Sequence, residues 1–147
     1  MFSKIALGLV GLLFSTQLTF AEFAKECRNI CLDPNEQNML VTECTISGGA
    51  KGNPNDSQYQ WSEFDLNQIL ARNGGYFGYQ QNGDFSVNGS PCNLCAIDED
   101  AAFTCKCDVD TPLIDLNQYL TDVAGSLCFA DADFGPICGP LSTIRRC

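Results

Sequence analysis

The chain has 147 residues, ten cysteines, no histidine and a net charge of −10. Such a charge makes nucleic acid and anionic lipid surfaces poor partners, because their phosphates repel it. Without histidine neither a Ser-His nor a Cys-His nucleophile system can form, and nothing among the 18 acids selects a carboxylate pair of the glycosidase kind, so no enzyme is expected.

Residues 1–21 read as a secretory leader. Lys4 is the positive charge, Ile5 to Phe14 the apolar stretch, and Thr19-Phe20-Ala21 ends on a small residue. The apolar run is short for a membrane span, no later segment is long enough, and no lipid-anchor pattern is present. The expected location is extracellular. Cleavage after Ala21, with Ala24 as second choice, leaves 126 residues and, with Lys4 removed, a charge of −11, enough for one domain with its own core. In an oxidising compartment the ten cysteines predict five disulfides rather than metal ligands. Cys92-x-x-Cys95 has no second matching pair to complete a zinc site, and a secreted setting disfavours a thiol redox motif. No cofactor and no metal are expected. Asn55 and Asn88 head glycosylation sequons, the second weakened by Pro91.

Phe23 is an apolar anchor ahead of Cys27, Asn29 and Ile30. After the turn-like Asp33-Pro34-Asn35, Met39 to Cys44 reads as a half-buried strand, with Leu40, Thr42 and Cys44 alternating with Val41 and Glu43. Residues 47–58 are rich in Gly, Asn, Pro and Ser and form an exposed loop. Tyr59 to Phe64 is a strand whose Trp61 serves packing. Asp65 caps a short helical turn with Leu66, Ile69 and Leu70 facing inward. Asn73-Gly74-Gly75 then reverses the chain into a strand, Tyr76 to Gln80, that places Phe77 and Tyr79 in the core.

The second half starts at Phe85 and passes Cys92, Asn93, Leu94 and Cys95 to the strand Phe103 to Cys107. There Phe103, Cys105 and Cys107 take the places of Leu40, Thr42 and Cys44. Asp115 caps again, Leu116, Tyr119 and Leu120 face inward, and Gly125 turns the chain into Ser126 to Phe129. Asp65-Leu66-Asn67-Gln68 thus matches Asp115-Leu116-Asn117-Gln118, and Gly75 matches Gly125, fifty residues apart. Two copies are too few for an open solenoid and predict two units closing on each other. Both repeat glycines are expected in conformations that a side chain would strain. Nothing after Phe129 repeats. The tail carries Cys138 and Cys147, bridged to each other or back to the body.

This ordered series resembles the cyanovirin-N homology domain family over roughly residues 23–129. In each half an apolar residue precedes a Cys-x-Asn-type segment, a Leu-x-x-x-Cys strand, Ile/Phe-Asp-Leu-Asn, a helical turn, and Gly before a closing strand. The resemblance implies a mainly β fold of two pseudo-symmetric lobes, each built from parts of both repeats. The domain would cover residues 22–129, with repeat 1 at about 23–84, repeat 2 at about 85–129, and residues 130–147 as a disulfide-tethered tail. It implies a lectin with one shallow pocket per lobe, binding glycans or glycoproteins of the high-mannose type without metal, as a monomer or weak dimer. It also pairs Cys27 with Cys44 and Cys92 with Cys107, leaving Cys31, Cys95, Cys105, Cys128, Cys138 and Cys147 unassigned.

The family's sugar-contact positions fall, in the middle lobe, on Arg72, Gly74, Asn82, Asp84, Asp108, Asp110 and Thr111. In the lobe that joins the termini they fall near Lys25, Glu26, Thr45, Ser47, Asp122 and Ala124. Fixed carboxylates and amides of this kind suit neutral sugar hydroxyls, although an acidic chain would carry such residues in its loops in any case. Family members often place Asn and Asp before the turn glycine. Here Arg72 and Gly74, or Asp122 and Ala124, stand there, which makes the middle lobe the favoured site. A scaffold that has lost sugar binding is the alternative.

Overall fold

The computed structural model describes residues 23–46, 59–86, 92–108, 110–131, 135–142 and 147. The leader, both sequons and Ser47 lie outside the described residues.

The repeat is visible in the strand order. A short helical turn, Phe23–Glu26, leads into β1 (Cys27–Leu32), β2 (Met39–Thr45) and β3 (Tyr59–Asp65). A 3-10 turn, Leu66–Gln68, precedes the hairpin of β4 (Leu70–Asn73) and β5 (Tyr76–Tyr79). The second repeat follows the same course: β6 (Cys92–Ile97), β7 (Ala102–Cys107), β8 (Leu113–Asp115), a 3-10 turn Leu116–Gln118, then β9 (Leu120–Val123) and β10 (Ser126–Asp131). The tail adds β11 (Gly135–Cys138), paired with β10, and β12 (Leu141–Ser142), paired with β3. The architecture is mainly β, as expected.

Each lobe combines one repeat's sheet with the other repeat's hairpin. Phe77 of β5 lies 5.4 Å from Phe103 of β7, ring centre to ring centre, and both meet Phe85 edge-on. On the other side the backbone N–H of Leu127 in β10 donates to Ser62 Oγ of β3 at 2.9 Å. The caps behave as the spacing predicts. Asp65 accepts from the Asn67 N–H at 3.0 Å and Asp115 from the Asn117 N–H at 2.9 Å, while Leu66, Ile69, Leu70, Leu116 and Leu120 are buried. Asn67 and Asn117 do something the sequence left unread. Asn117 Oδ1 accepts from the Ala24 N–H, and Asn67 Oδ1 from the Ser86 N–H and hydroxyl, so each turn ties down the beginning of the opposite repeat.

Three sequence expectations need correction. Val41 is fully buried although it alternates with core residues. Its cross-strand neighbours are Cys31 and Glu63, and Cys31 carries a bridge to Cys147. Tyr79 is exposed rather than core, with one ring face stacked on Phe129 at 4.6 Å. Positive φ in the first hairpin belongs to Gly74 (+66°), not Gly75, whereas in the second both Ala124 (+53°) and Gly125 (+88°) adopt it. Both loops have two residues, and these are the backbone settings of the tight hairpin turns that match strand twist. A Cβ on Gly125 would also lie 3.3 Å from Ile46 Cγ1. Gly125→Val should therefore cost about 1–3 kcal/mol in thermal or chemical unfolding, and Gly75→Val clearly less. Equal losses would mean that backbone strain is not the cause.

Five disulfides close the molecule: Cys27–Cys44, Cys31–Cys147, Cys92–Cys107, Cys95–Cys105 and Cys128–Cys138. The tail is thus bridged to the body twice, not to itself.

Candidate functional site

Two polar clusters form where a hairpin of one repeat meets the sheet of the other. In the middle lobe Arg72 leaves β4 and reaches the segment after β7. Its Nη1 donates to Asp108 Oδ2 at 3.3 Å and its Nη2 to Asp110 Oδ2 at 3.4 Å. Asp110 is fixed by reciprocal backbone bonds with Cys107, at 2.8 and 2.7 Å, so the Cys92–Cys107 bridge braces the site. Gly75 abuts it, since a Cβ there would lie 3.4 Å from Asp110 Oδ2, and Gly74 is the neighbouring turn residue. Thr111 is exposed beside Asp110. Asn82 and Asp84 are held differently. Their backbone N–H groups donate to Gln68 and Asn67 carbonyls at 2.8 and 3.1 Å, which drapes their loop over the first 3-10 turn. The polar core of this lobe is Arg72, Asp108 and Asp110, and the guanidinium already engages both acids.

The terminal lobe brings Glu26, Thr45 and Asp122 together. Asp122 Oδ2 accepts from the Thr45 hydroxyl at 3.0 Å, and Oδ1 accepts from the Gly125 N–H at 2.8 Å. Ala124 forms the turn above, and Lys25 is exposed beside Glu26. Burial pushes the Glu26 carboxyl up from its ordinary pKa, and the charge of Asp122 adds to this. Burial also raises Asp122, against the opposing pull of the Gly125 and Thr45 bonds. The two lobes are chemical inverses. Asp122 stands where Arg72 does in the repeat, and Thr45 where Asp108 does, each directly after its bridging cysteine. One lobe places an acid against a hydroxyl, the other a guanidinium against an acid.

The raised carboxyls carry a pH signature. A native carboxyl with a raised pKa binds its proton more readily than the unfolded chain does. Its protonation stabilises the fold fully below the ordinary carboxylate range, and that contribution is lost as pH rises through the raised native value. Wild type should therefore gain stability relative to Glu26→Gln as pH falls from neutrality into the ordinary carboxylate range. Denaturation of both proteins across that range reads this; a flat difference would show Glu26 to be freely solvated, and an opposite slope would show its charged form to be stabilised by the fold.

Among the described residues no group of three or more His, Cys, Asp or Glu side chains is arranged to hold a metal, and no helix is long and apolar enough to cross a membrane. Two clefts lie away from both clusters, along β1. One of about 260 Å³ is lined by Arg28, Asn29, Ile30 and Glu99, and another of about 310 Å³ by Asn29, Ile30, Cys31, Trp61 and Cys147. The sequence reading passed over this face, although Trp61 beside two unassigned cysteines was its trace.

The CVNH domain model matches residues 23–128. Among curated proteins none matches. The CVNH protein of T. borchii is similar in structure with a TM-score of 0.55 and 26% identity, over 74% of this chain and 98% of its own. That of Gibberella zeae gives 0.56 and 19%, over 74% and 96%. A MoCVNH3 variant in complex with (N-GlcNAc)4 gives 0.55 and 16%, over 75% and 97%.

Proposed function

This chain belongs to the CVNH domain family, and on that premise we propose that it is a secreted, metal-independent carbohydrate-binding protein whose terminal lobe is the stronger site. The observation that carries this reading is Asp122. Two donors fix its carboxylate, Glu26 stands beside it, and no cation of the described contacts neutralises it. Pre-oriented acceptors of this kind lose little conformational freedom when they meet adjacent sugar hydroxyls. The middle lobe is the weaker site, because a sugar there competes with Arg72 for Asp108 and Asp110. That engagement is also what favours the alternative, a scaffold without sugar binding.

The glycan is either the high-mannose type that the family resemblance implies or a chitin-type oligomer, the class bound by the MoCVNH3 variant. Each hydrogen bond to a hydroxyl contributes a net ~0.5–1.5 kcal/mol, so a shallow site is weak and useful avidity requires both lobes. A glycan array with and without EDTA tests the proposal. Binding that survives EDTA supports it, and a protein that ignores every arrayed glycan overturns it.

A further inference from the structure

We propose that the outer face of the first sheet holds an additional sugar-binding groove, separate from both lobe sites and completed by the Cys31–Cys147 bridge, for a single pyranose ring of an oligosaccharide. The groove owes its shape to a bulge. β1 and β2 are in register at Arg28↔Glu43 and again at Cys31↔Val41, but slip between them, where Asn29 takes φ of +53°. This lifts Asn29 and Ile30 out of the sheet and opens the two adjoining clefts, of about 260 and 310 Å³, that share these residues.

The walls suit a sugar. Trp61 stands directly across from Glu43, so an indole face and a carboxylate share one side of the sheet. Glu43 Oε2 accepts from Arg28 Nε at 2.8 Å and from Asn29 Nδ2 at 3.0 Å, which fixes the Asn29 side chain and leaves its amide oxygen as an acceptor. The Arg28 guanidinium is itself held over the Tyr59 ring at 3.8 Å. The disulfide closes the end, with Cys147 Sγ 3.3 Å from Asn29 O. A pyranose presents C–H groups on its face and hydroxyls at its rim, so a flat ring beside the Asn29 amide oxygen matches both, while the Arg28–Glu43 pair holds that amide in place. A volume of about 310 Å³ suits one ring better than a branched glycan or a folded segment. Cys147 lies beyond the residues that the family model matches, so the closing wall is an addition to the shared domain.

Trp61 is the only tryptophan of the chain, so in a protein whose lobe sites are blocked its emission reports this groove. The test uses (N-GlcNAc)4 and mannotriose on the full chain, with both lobe sites blocked by Glu26→Gln, Asp122→Asn, Asp108→Ala and Asp110→Ala. A saturable change in tryptophan emission is expected with one of the two sugars. Trp61→Ala should weaken the calorimetric affinity of that protein at least tenfold, whereas Trp61→Phe, which keeps a ring, should hold it within about threefold. Unchanged emission with both sugars in the lobe-blocked protein overturns the groove. So does equal affinity in Trp61→Ala. Either result leaves the lobe sites untouched, because wild type would still bind by calorimetry.

Discussion

Phe103→Ala should lower the stability of the disulfide-intact protein by about 3–5 kcal/mol. The side chain is fully buried, with Phe77 at 5.4 Å and Phe85 at 5.6 Å between ring centres. Phe77 belongs to the hairpin of the first repeat and Phe103 to the sheet of the second. Truncation thus loses apolar burial, leaves a cavity between elements that cannot collapse independently, and removes an edge-to-face contact with Phe85 worth ~0.5–1.5 kcal/mol beyond burial. Tyr76→Ala on the same hairpin, exposed at 63%, should stay within about 0.5 kcal/mol of wild type. Denaturant titration compares the two. A Phe103→Ala loss below about 1 kcal/mol would mean that the hairpin does not rest on the opposite sheet.

Removing the Cys31–Cys147 bridge with two serines should cost about 2–4 kcal/mol. The bridge spans 116 residues of sequence, against 17, 15, 10 and 10 for the others, and entropy withheld from the unfolded chain grows with loop length. Cys147 is exposed and Cys31 half-buried, so serine adds little burial penalty at either end. A loss under about 1 kcal/mol would show that the unbridged tail holds its place through β12 alone.

The motif that fixes the fold was legible because it is local. Asp65 and Asp115 cap turns two residues away, and leucines at helical spacing follow them into the core. What stayed hidden depends on residues distant in sequence. Asn67 and Asn117 each bond to the start of the other repeat, and no periodicity reports that. Strand alternation alone makes Val41 solvent-facing, and it does not report that its partner Cys31 is bridged to Cys147, 116 residues away. The turn glycines were placed on matching letters, yet the hairpin loops differ, Gly74-Gly75 against Ala124-Gly125. The candidate site was readable as residue types but not as a constellation. Arg72, Asp108 and Asp110 converge, and so do Glu26, Thr45 and Asp122, while Asn82 and Asp84 are bonded to the first 3-10 turn. Which acids a cation already occupies is visible only in the folded chain.

The central claim is that a sugar engages the terminal lobe first. An NMR titration of the labelled chain with mannotriose and with (N-GlcNAc)4 tests it most directly, read at the backbone amides of Thr45 and Gly125 against those of Asp108 and Asp110. Saturable shifts at Thr45 and Gly125 at the lower sugar concentrations, abolished by Glu26→Gln with Asp122→Asn, are the expected result. Shifts that begin at Asp108 and Asp110 and survive that double variant would contradict the account.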